Sequence, residues 1–169
     1  MENDFNRNEG EVYKPSKDFA RANKSSQEVE ALDYLNKILR GEISAVEVYA
    51  KAIEKFPQDA ARFELASFRQ DHQHNVDELT RLLKVQGEEP STASGAWGTT
   101  VGGLMSIATF LGDKSAVGLL IEGEEHGLNQ YSDVLNYPVP DSIRTKISET
   151  FLPQSRINIG KLRGIANVI

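Results

Sequence analysis

The chain has 169 residues, of which 39% are hydrophobic and 26% charged, the size and composition of one globular domain with a sizeable core. Its 25 acidic and 19 basic side chains leave a net charge of −6, which disfavours nucleic acid and anionic membranes as partners. It contains no cysteine, so disulfides, thiolate metal sites and a cysteine nucleophile are excluded.

The N-terminal residues differ from the rest of the chain. Residues 1–24 show little apolar periodicity and are predicted to form a flexible arm before a domain over residues 25–169. The first residues are polar and lack the apolar stretch of a secretory signal. No apolar run approaches the roughly 20 residues that a membrane-spanning helix needs. We therefore expect a cytoplasmic protein that does not bind membranes.

Two long helices are predicted in the first half of the chain. Ser25 followed by Glu28 fits a capping box, and apolar residues then recur on one helical face until Pro57. Asp59 can cap a second helix, which ends before Pro90. Because only a few residues join the two helices, we expect them to pack antiparallel.

The second half begins with a long connection over residues 88–112, which is small and turn-prone at first and apolar later. Asp113 or Ser115 then opens a third helix, and Asp141 opens a fourth in which Pro153 is expected to produce a kink. Two hairpins of long helices joined by a long crossover predict an all-α, ferritin-like antiparallel four-helix bundle.

A short internal repeat places a glutamate in the same position of two helices. GEISAVEVY (residues 41–49) and GEEHGLNQY (residues 123–131) share Gly-Glu, a small residue three after the Glu and a Tyr seven after it. Glu42 and Glu124 both fall inside an apolar stripe, so both carboxylates are expected to be buried. Tyr49 and Tyr131 would lie a turn or two away, where a phenol can hydrogen-bond a carboxylate, carry a radical in an oxidase or simply pack.

The order of Glu42, Ala45 and Tyr49 resembles the first helix of ferritins and rubrerythrins. The helix order and segments such as LNKILRGEISAVEVY also resemble an uncharacterised bacterial family of ferritin-like, rubrerythrin-related domains, over about residues 28–166. By this resemblance Glu42 and Glu124 occupy the terminal carboxylate positions of a di-iron site. The resemblance also implies a structural or interaction protein that acts under stress.

The rest of the di-iron ligand set is incomplete. In the families that the chain resembles, the second helix of each hairpin carries Glu-x-x-His, and here the second helix has Arg69 and His72 at these positions. The fourth helix reads FLPQSRIN, which offers Gln154, Ser155 and Asn158 near the expected level and no Glu-x-x-His.

Two interpretations of these residues remain open. In the first, Glu42, His72 and Glu124 bind iron, manganese or zinc, and the chain is an oxidoreductase or a metal-handling protein. In the second, which the sequence favours, the guanidinium of Arg69 and a protonated His72 neutralise the glutamates in a metal-free polar network, supported by Tyr49, Tyr131, Gln154 and Asn158.

Two further predictions concern exposed histidines and assembly. His74 and His126 are expected to face solvent, because each lies two residues from the buried member of its helix. The apolar stretch over residues 97–111 is expected either to pack within the chain or to form the contact of a homodimer.

Overall fold

The computed structural model describes residues 21, 23–56, 59–95, 98 and 112–169, and every structural statement below concerns these residues. They form helices and no strand, which confirms the predicted all-α class. The helices are α1 (Ser26–Lys55), α2 (Asp59–Val85), α3 (Asp113–Val134), α4 (Asp141–Lys146) and α5 (Leu152–Ala166), and a π-helical segment (Ile147–Phe151) joins α4 to α5. Apart from Gly98, the 97–111 stretch lies outside the described residues, so the predicted homodimer contact stays a prediction.

The ends of α1 and α2 follow from local sequence signals. At the start of α1, the Glu28 backbone N–H donates to Ser25 Oγ (3.2 Å) and the Ser25 backbone N–H donates to Glu28 Oε2 (2.8 Å), which is the predicted capping box. At the end of α2, Gly87 adopts a positive φ of 77°, and the Glu88 N–H returns to the Leu83 carbonyl oxygen at 3.0 Å. Glycine suits this position because it has no Cβ to clash in the left-handed region.

The helices pack as two hairpins, α1 with α2 and α3 with α5, which meet mainly through α1 and α3. Two apolar clusters fill the interior. One lies around Leu35, Leu79 and Phe151, and the other around Ala52, Leu65 and Leu162. Between the two clusters each of α1, α2, α3 and α5 buries polar side chains, namely Glu42, Ser44, His72, Asn75, Glu124, Ser155 and Asn158. The interior is therefore apolar, polar and apolar again along the helix axes.

The fourth helix of the sequence prediction is instead three consecutive helical segments. The Leu152 N–H donates to the Ile147 carbonyl oxygen, and Pro153 follows in the first turn of α5. Proline has no N–H for the carbonyl four residues earlier, and the wider π turn takes up this break without ending the helix. The proline is thus associated with a widened turn, where the sequence predicts a kink.

The last part of the predicted arm contacts the helices. Arg21 donates to Glu88 Oε2 (2.8 Å) and to Asp33 Oδ1 (2.7 Å), and Lys24 Nζ donates to the Gln86 carbonyl oxygen (2.8 Å). These contacts fix residues 21 and 24 against the end of α2. None of the helices in the described ranges is long and apolar enough to cross a membrane.

Candidate functional site

Glu42, His72 and Glu124 come together at the polar level between the two apolar clusters. They belong to α1, α2 and α3, and their exposed fractions are 5%, 7% and 4%. Each lies on the inward stripe of its helix, with buried apolar residues a turn or two to either side, which is why the fold buries them. The structure therefore collects the three residues that the sequence singled out as candidate metal ligands.

The imidazole of His72 bridges the two glutamates. Its Nδ1 lies 2.8 Å from Glu42 Oε2 and its Nε2 lies 2.9 Å from Glu124 Oε1. An ionised carboxylate only accepts hydrogen bonds, so between two ionised glutamates the ring donates from both nitrogens and is an imidazolium. Two buried carboxylates share one positive charge in this arrangement.

Each tyrosine of the internal repeat bonds to the glutamate of the other copy. Tyr49 donates to Glu124 Oε1 at 2.7 Å, and Tyr131 donates to Glu42 Oε1 at 2.8 Å. The crossing follows from the antiparallel packing of α1 and α3, which brings the Tyr end of one copy to the Glu end of the other. The two copies of the repeat are therefore joined by a reciprocal pair of hydrogen bonds, which link the two hairpins.

Asn75 is a member of this site that the sequence analysis missed. Its Nδ2 donates to Glu42 Oε2 at 3.2 Å, and its side chain is buried. The signal that could have found it is its place three residues after His72, on the same face of α2. Together with Glu42, Tyr49, His72, Glu124 and Tyr131, Asn75 forms what we call the central network.

The charges of the central network shift the pKa values of its members. Burial would lower the pKa of His72, but the charges of Glu42 and Glu124 and the hydrogen bonds to both outweigh it and raise that pKa from 6.5 to about 10. Burial and the adjacent carboxylates also raise the pKa of Tyr49 and Tyr131 well above 10. At neutral pH the imidazole is thus charged, and both phenols keep the protons they donate.

Aromatic rings enclose the imidazolium and the tyrosines. The Tyr49 ring stacks on His72 with 5.2 Å between centroids, and Phe68 meets Tyr49 edge-on at 5.9 Å. On the other side Phe151, in the π-helical segment, packs at 5.1 Å from Tyr131. A cation against the face of a buried phenol ring gains further stabilisation and is shielded from water.

Arg69, which the sequence predicts to support this site, does not contact it. Arg69 is exposed, on the solvent side of α2, so the prediction that it neutralises the glutamates is wrong. Arg69 and Asn75 lie three residues before and after His72, on either side of it. Only the side that carries Asn75 packs against Glu42. Among the residues that the structure describes, His72 alone provides positive charge to the network. His74 and His126 are exposed, as the sequence predicts.

Gln154 and Asn158 form a second polar contact, between α5 and α2. Gln154 Nε2 donates to Asp71 Oδ2 at 3.1 Å and to Asn158 Oδ1 at 3.0 Å. Burial raises the pKa of Asp71, although a hydrogen bond from Asn158 and the charge of His72 counteract this. These amides therefore hold Asp71, the neighbour of His72, rather than the glutamates.

A cavity of about 280 Å³ opens between α1 and α3 beside the central network. The buried residues Glu42, Tyr49, His72 and Glu124 line its inner end. Apolar side chains and glycines make up much of the remaining lining, which also includes Ser44, Glu122, His126, Gln130 and Ser155. Glu124 Oε2 accepts no hydrogen bond from the described residues, whereas both oxygens of Glu42 do. The site thus has one free acceptor next to accessible space.

The residues do not fit a di-iron centre. At the positions where the resemblance to ferritins and rubrerythrins implies bridging carboxylates, the chain has Arg69 and the amide and hydroxyl side chains of α5, and both nitrogens of His72 are engaged by glutamates. Among the described residues, no group of three or more His, Asp or Glu side chains is placed to hold a metal ion. A metal would need His72 to give up one of its carboxylate partners.

The structure defines an all-helical protein with a buried hydrogen-bonded network at mid-length. Residues 30–137, more than half of the chain, match the family described as Domain of unknown function (DUF2383), and the chain belongs to this family. The matched range contains the whole central network and ends before α4. Comparisons with curated proteins and with solved structures find no match.

Proposed function

We propose that the chain is a ferritin-like four-helix bundle that works without a metal, as a structural or interaction protein. In this proposal the imidazolium of His72 takes the place that the resemblance gives to iron. The observation that carries it is the pair of contacts from the two ring nitrogens of His72 to two different carboxylates, at 2.8 and 2.9 Å. The protonated imidazole supplies the positive charge between the two carboxylates that a metal ion would otherwise supply.

The course of the chain supports the ferritin-like topology. After α2 ends, Glu89 and Ser91 bond to Asn36, and Ser94 Oγ donates to Glu47 Oε2 at 2.9 Å. The described first part of the connection, up to Ser94, thus follows α1 from Asn36 to Glu47, in the direction of the end of α1. A crossover along the length of the helices leaves α2 and α3 pointing the same way, as the two hairpins of a ferritin-like bundle require.

The competing function is an iron- or manganese-binding oxidoreductase or metal-handling protein. One observation favours it, the free acceptor Glu124 Oε2 beside the cavity. Two carboxylates and an imidazole are a ligand set that such metals accept. A metal would compete with the protons of His72, so the two functions predict opposite responses to metal.

The test is the metal content and thermal stability of the full chain, purified without chelator and then offered Fe(II), Mn(II) or Zn(II). A ligand that binds only the folded state raises the melting temperature in proportion to its affinity. The proposal expects less than stoichiometric metal and an unchanged melting temperature. About one or two metals per chain, lost in Glu42→Gln together with a metal-induced rise in melting temperature, would establish the competing function.

A substitution of His72 separates the two functions further. His72→Gln leaves two buried carboxylates without a cation, so we expect the free energy of unfolding to fall by about 3–5 kcal/mol. His74→Gln, on the exposed side of the same helix, is the control and should change it by less than about 0.5 kcal/mol. Equal stability of the two variants would contradict the proposal.

A further inference from the structure

The cavity between α1 and α3 has the size of a small-molecule site. Its volume of about 280 Å³ lies just below the range of about 300–1,000 Å³ that is usual for ligand pockets. An apolar cavity of about 150 Å³ in a protein interior can hold a benzene ring. The cavity can therefore take one ring, or an alkyl group of similar size, with a short polar arm.

The walls and the inner end of the cavity differ in chemistry. Ile38, Val48 and Leu119 provide apolar walls on α1 and α3. At the inner end lies Glu124, whose side chain is 2% exposed and whose Oε2 has no partner among the described residues. Oε2 is not among the described side-chain atoms that are buried without a partner, so it faces the cavity. A cationic donor of a ligand can form a charge-assisted hydrogen bond with it there.

Two glycines keep the outer part of the cavity open. Gly123 and Gly127 are helical, and a Cβ at either position would meet nothing within 4 Å. Neither a positive φ nor a close contact requires glycine there, although glycine in a helix interior costs stability. Because these two positions carry no side chain, open space remains next to Glu124 on one face of α3.

The charge at the inner end selects a cation. Glu42 and Glu124 carry two negative charges and the imidazolium of His72 one positive charge, which leaves one negative charge. Glu122 and His126 are both exposed at the outer part of the same cavity, and Glu122 adds another negative charge there. An apolar cavity with net negative charge and a free acceptor favours a group that combines an apolar body with a cationic donor.

We propose that this cavity binds a small organic ammonium ion, whose nitrogen donates to Glu124 Oε2 and whose apolar body lies between α1 and α3. The inference rests on the metal-free state proposed above, because a metal would use the same carboxylate oxygen. It goes beyond that proposal by giving the central network a ligand of defined chemistry.

The experiment measures binding of benzylammonium to the full chain by calorimetry, after metal has been removed with a chelator and the chelator dialysed away. Benzyl alcohol and benzoate are the neutral and anionic probes of similar shape. We expect saturable one-to-one binding of benzylammonium, binding of benzyl alcohol at least about tenfold weaker because the charge-assisted hydrogen bond is lost, and no binding of benzoate. Equal binding of the ammonium and the alcohol, or no binding of the ammonium, would overturn the inference.

Two variants of matched chemistry locate the site. Gly127→Leu places a side chain in the cavity and should abolish binding, whereas Gly118→Leu, at another open helical position of α3 outside the cavity lining, should leave it unchanged. Binding that survives Gly127→Leu would place the probe elsewhere and refute the site. Metal found in the purified chain would overturn the proposed function alone, because binding of the ammonium is measured on metal-free protein. Absence of both metal and ammonium binding would overturn the inference alone.

Discussion

His72 carries the positive charge of the central network, and a carboxylate lies on each side of its ring. Its two nitrogens contact carboxylates on two other helices, and Tyr49 stacks on its face. A buried carboxylate without a cation is strongly destabilising, so the protonated ring holds together groups that would otherwise repel. The charge state of this residue should therefore govern the stability of the fold.

The raised pKa of His72 predicts how stability depends on pH. In the folded chain this pKa is about 10, against 6.5 when unperturbed, so the folded state binds the proton more tightly than the unfolded state. The resulting stabilisation is fully present below pH 6.5 and is lost as pH rises toward about 10. We expect the free energy of unfolding in urea to fall by on the order of a few kcal/mol across this range.

The matched measurement is the same pH series on His72→Gln, which keeps the background titration of the other groups. The difference between the two chains should shrink as pH rises, because the wild-type ring loses its charge. Tyr49 and Tyr131 titrate above this range, since their pKa values are raised well above 10, and do not interfere. A difference that is constant with pH would show that His72 is not an imidazolium in the fold.

Residue burial could be predicted from the sequence, but the choice of partners could not. The spacing of Glu42, His72 and Glu124 within apolar stripes predicts that they are buried, and the structure buries them. The sequence assigns Arg69 to the glutamates because two buried carboxylates require a cation, but charge balance does not identify which cation is used. Arg69 and Asn75 are equally spaced from His72. Packing of α2 against α1 decides that Asn75 is buried against Glu42 while Arg69 faces solvent.

At the scale of elements, some helix ends can be predicted from the sequence and others cannot. The capping box of α1 and the glycine that ends α2 depend on neighbouring residues, so the sequence predicts them well. The π-helical segment just before Pro153 places Ile147 and Phe151 in the apolar core. Their position depends on packing against other helices, which neighbouring residues in the sequence do not determine. Local sequence therefore places the elements, whereas tertiary contacts decide the turn between α4 and α5.

Alanine substitution of two glycines near the start of α3 should change the free energy of unfolding in opposite directions. Gly118 is helical with open space around it, so Gly118→Ala should raise the free energy of unfolding by about 0.5–1 kcal/mol. Gly112 precedes α3 with a φ of 122°, a region that a side chain disfavours, so Gly112→Ala should lower it by about 1–3 kcal/mol. Urea unfolding of both variants is the measurement, and effects of the same sign would contradict the backbone geometry at α3.

For the whole molecule, the central network is a fully buried polar connection between the two hairpins, in addition to the more exposed contacts of Gln154 with Asp71 and of Tyr34 with Asp133. The hairpin of α1 and α2 supplies Tyr49 and His72, which contact Glu124, and the hairpin of α3 and α5 returns Tyr131 to Glu42. Apolar packing on either side is non-directional and would permit the hairpins to slide. The crossed hydrogen bonds fix the register of α1 against α3, because each has only one partner at the correct distance.

A double-mutant cycle on the two tyrosines tests this coupling. Tyr49→Phe and Tyr131→Phe each remove a hydrogen bond to a buried carboxylate, so each should lower the free energy of unfolding by about 1.5–3 kcal/mol. Because both carboxylates also bond to His72, the effects should not be additive, and the interaction energy should exceed about 0.5 kcal/mol. Tyr34→Phe is the matched control, since its hydroxyl reaches Asp133 across the same two helices, but at 3.5 Å and in solvent. It should cost less than about 0.5 kcal/mol. Additive losses in the cycle would mean that the two hydrogen bonds act independently and are not coupled through His72.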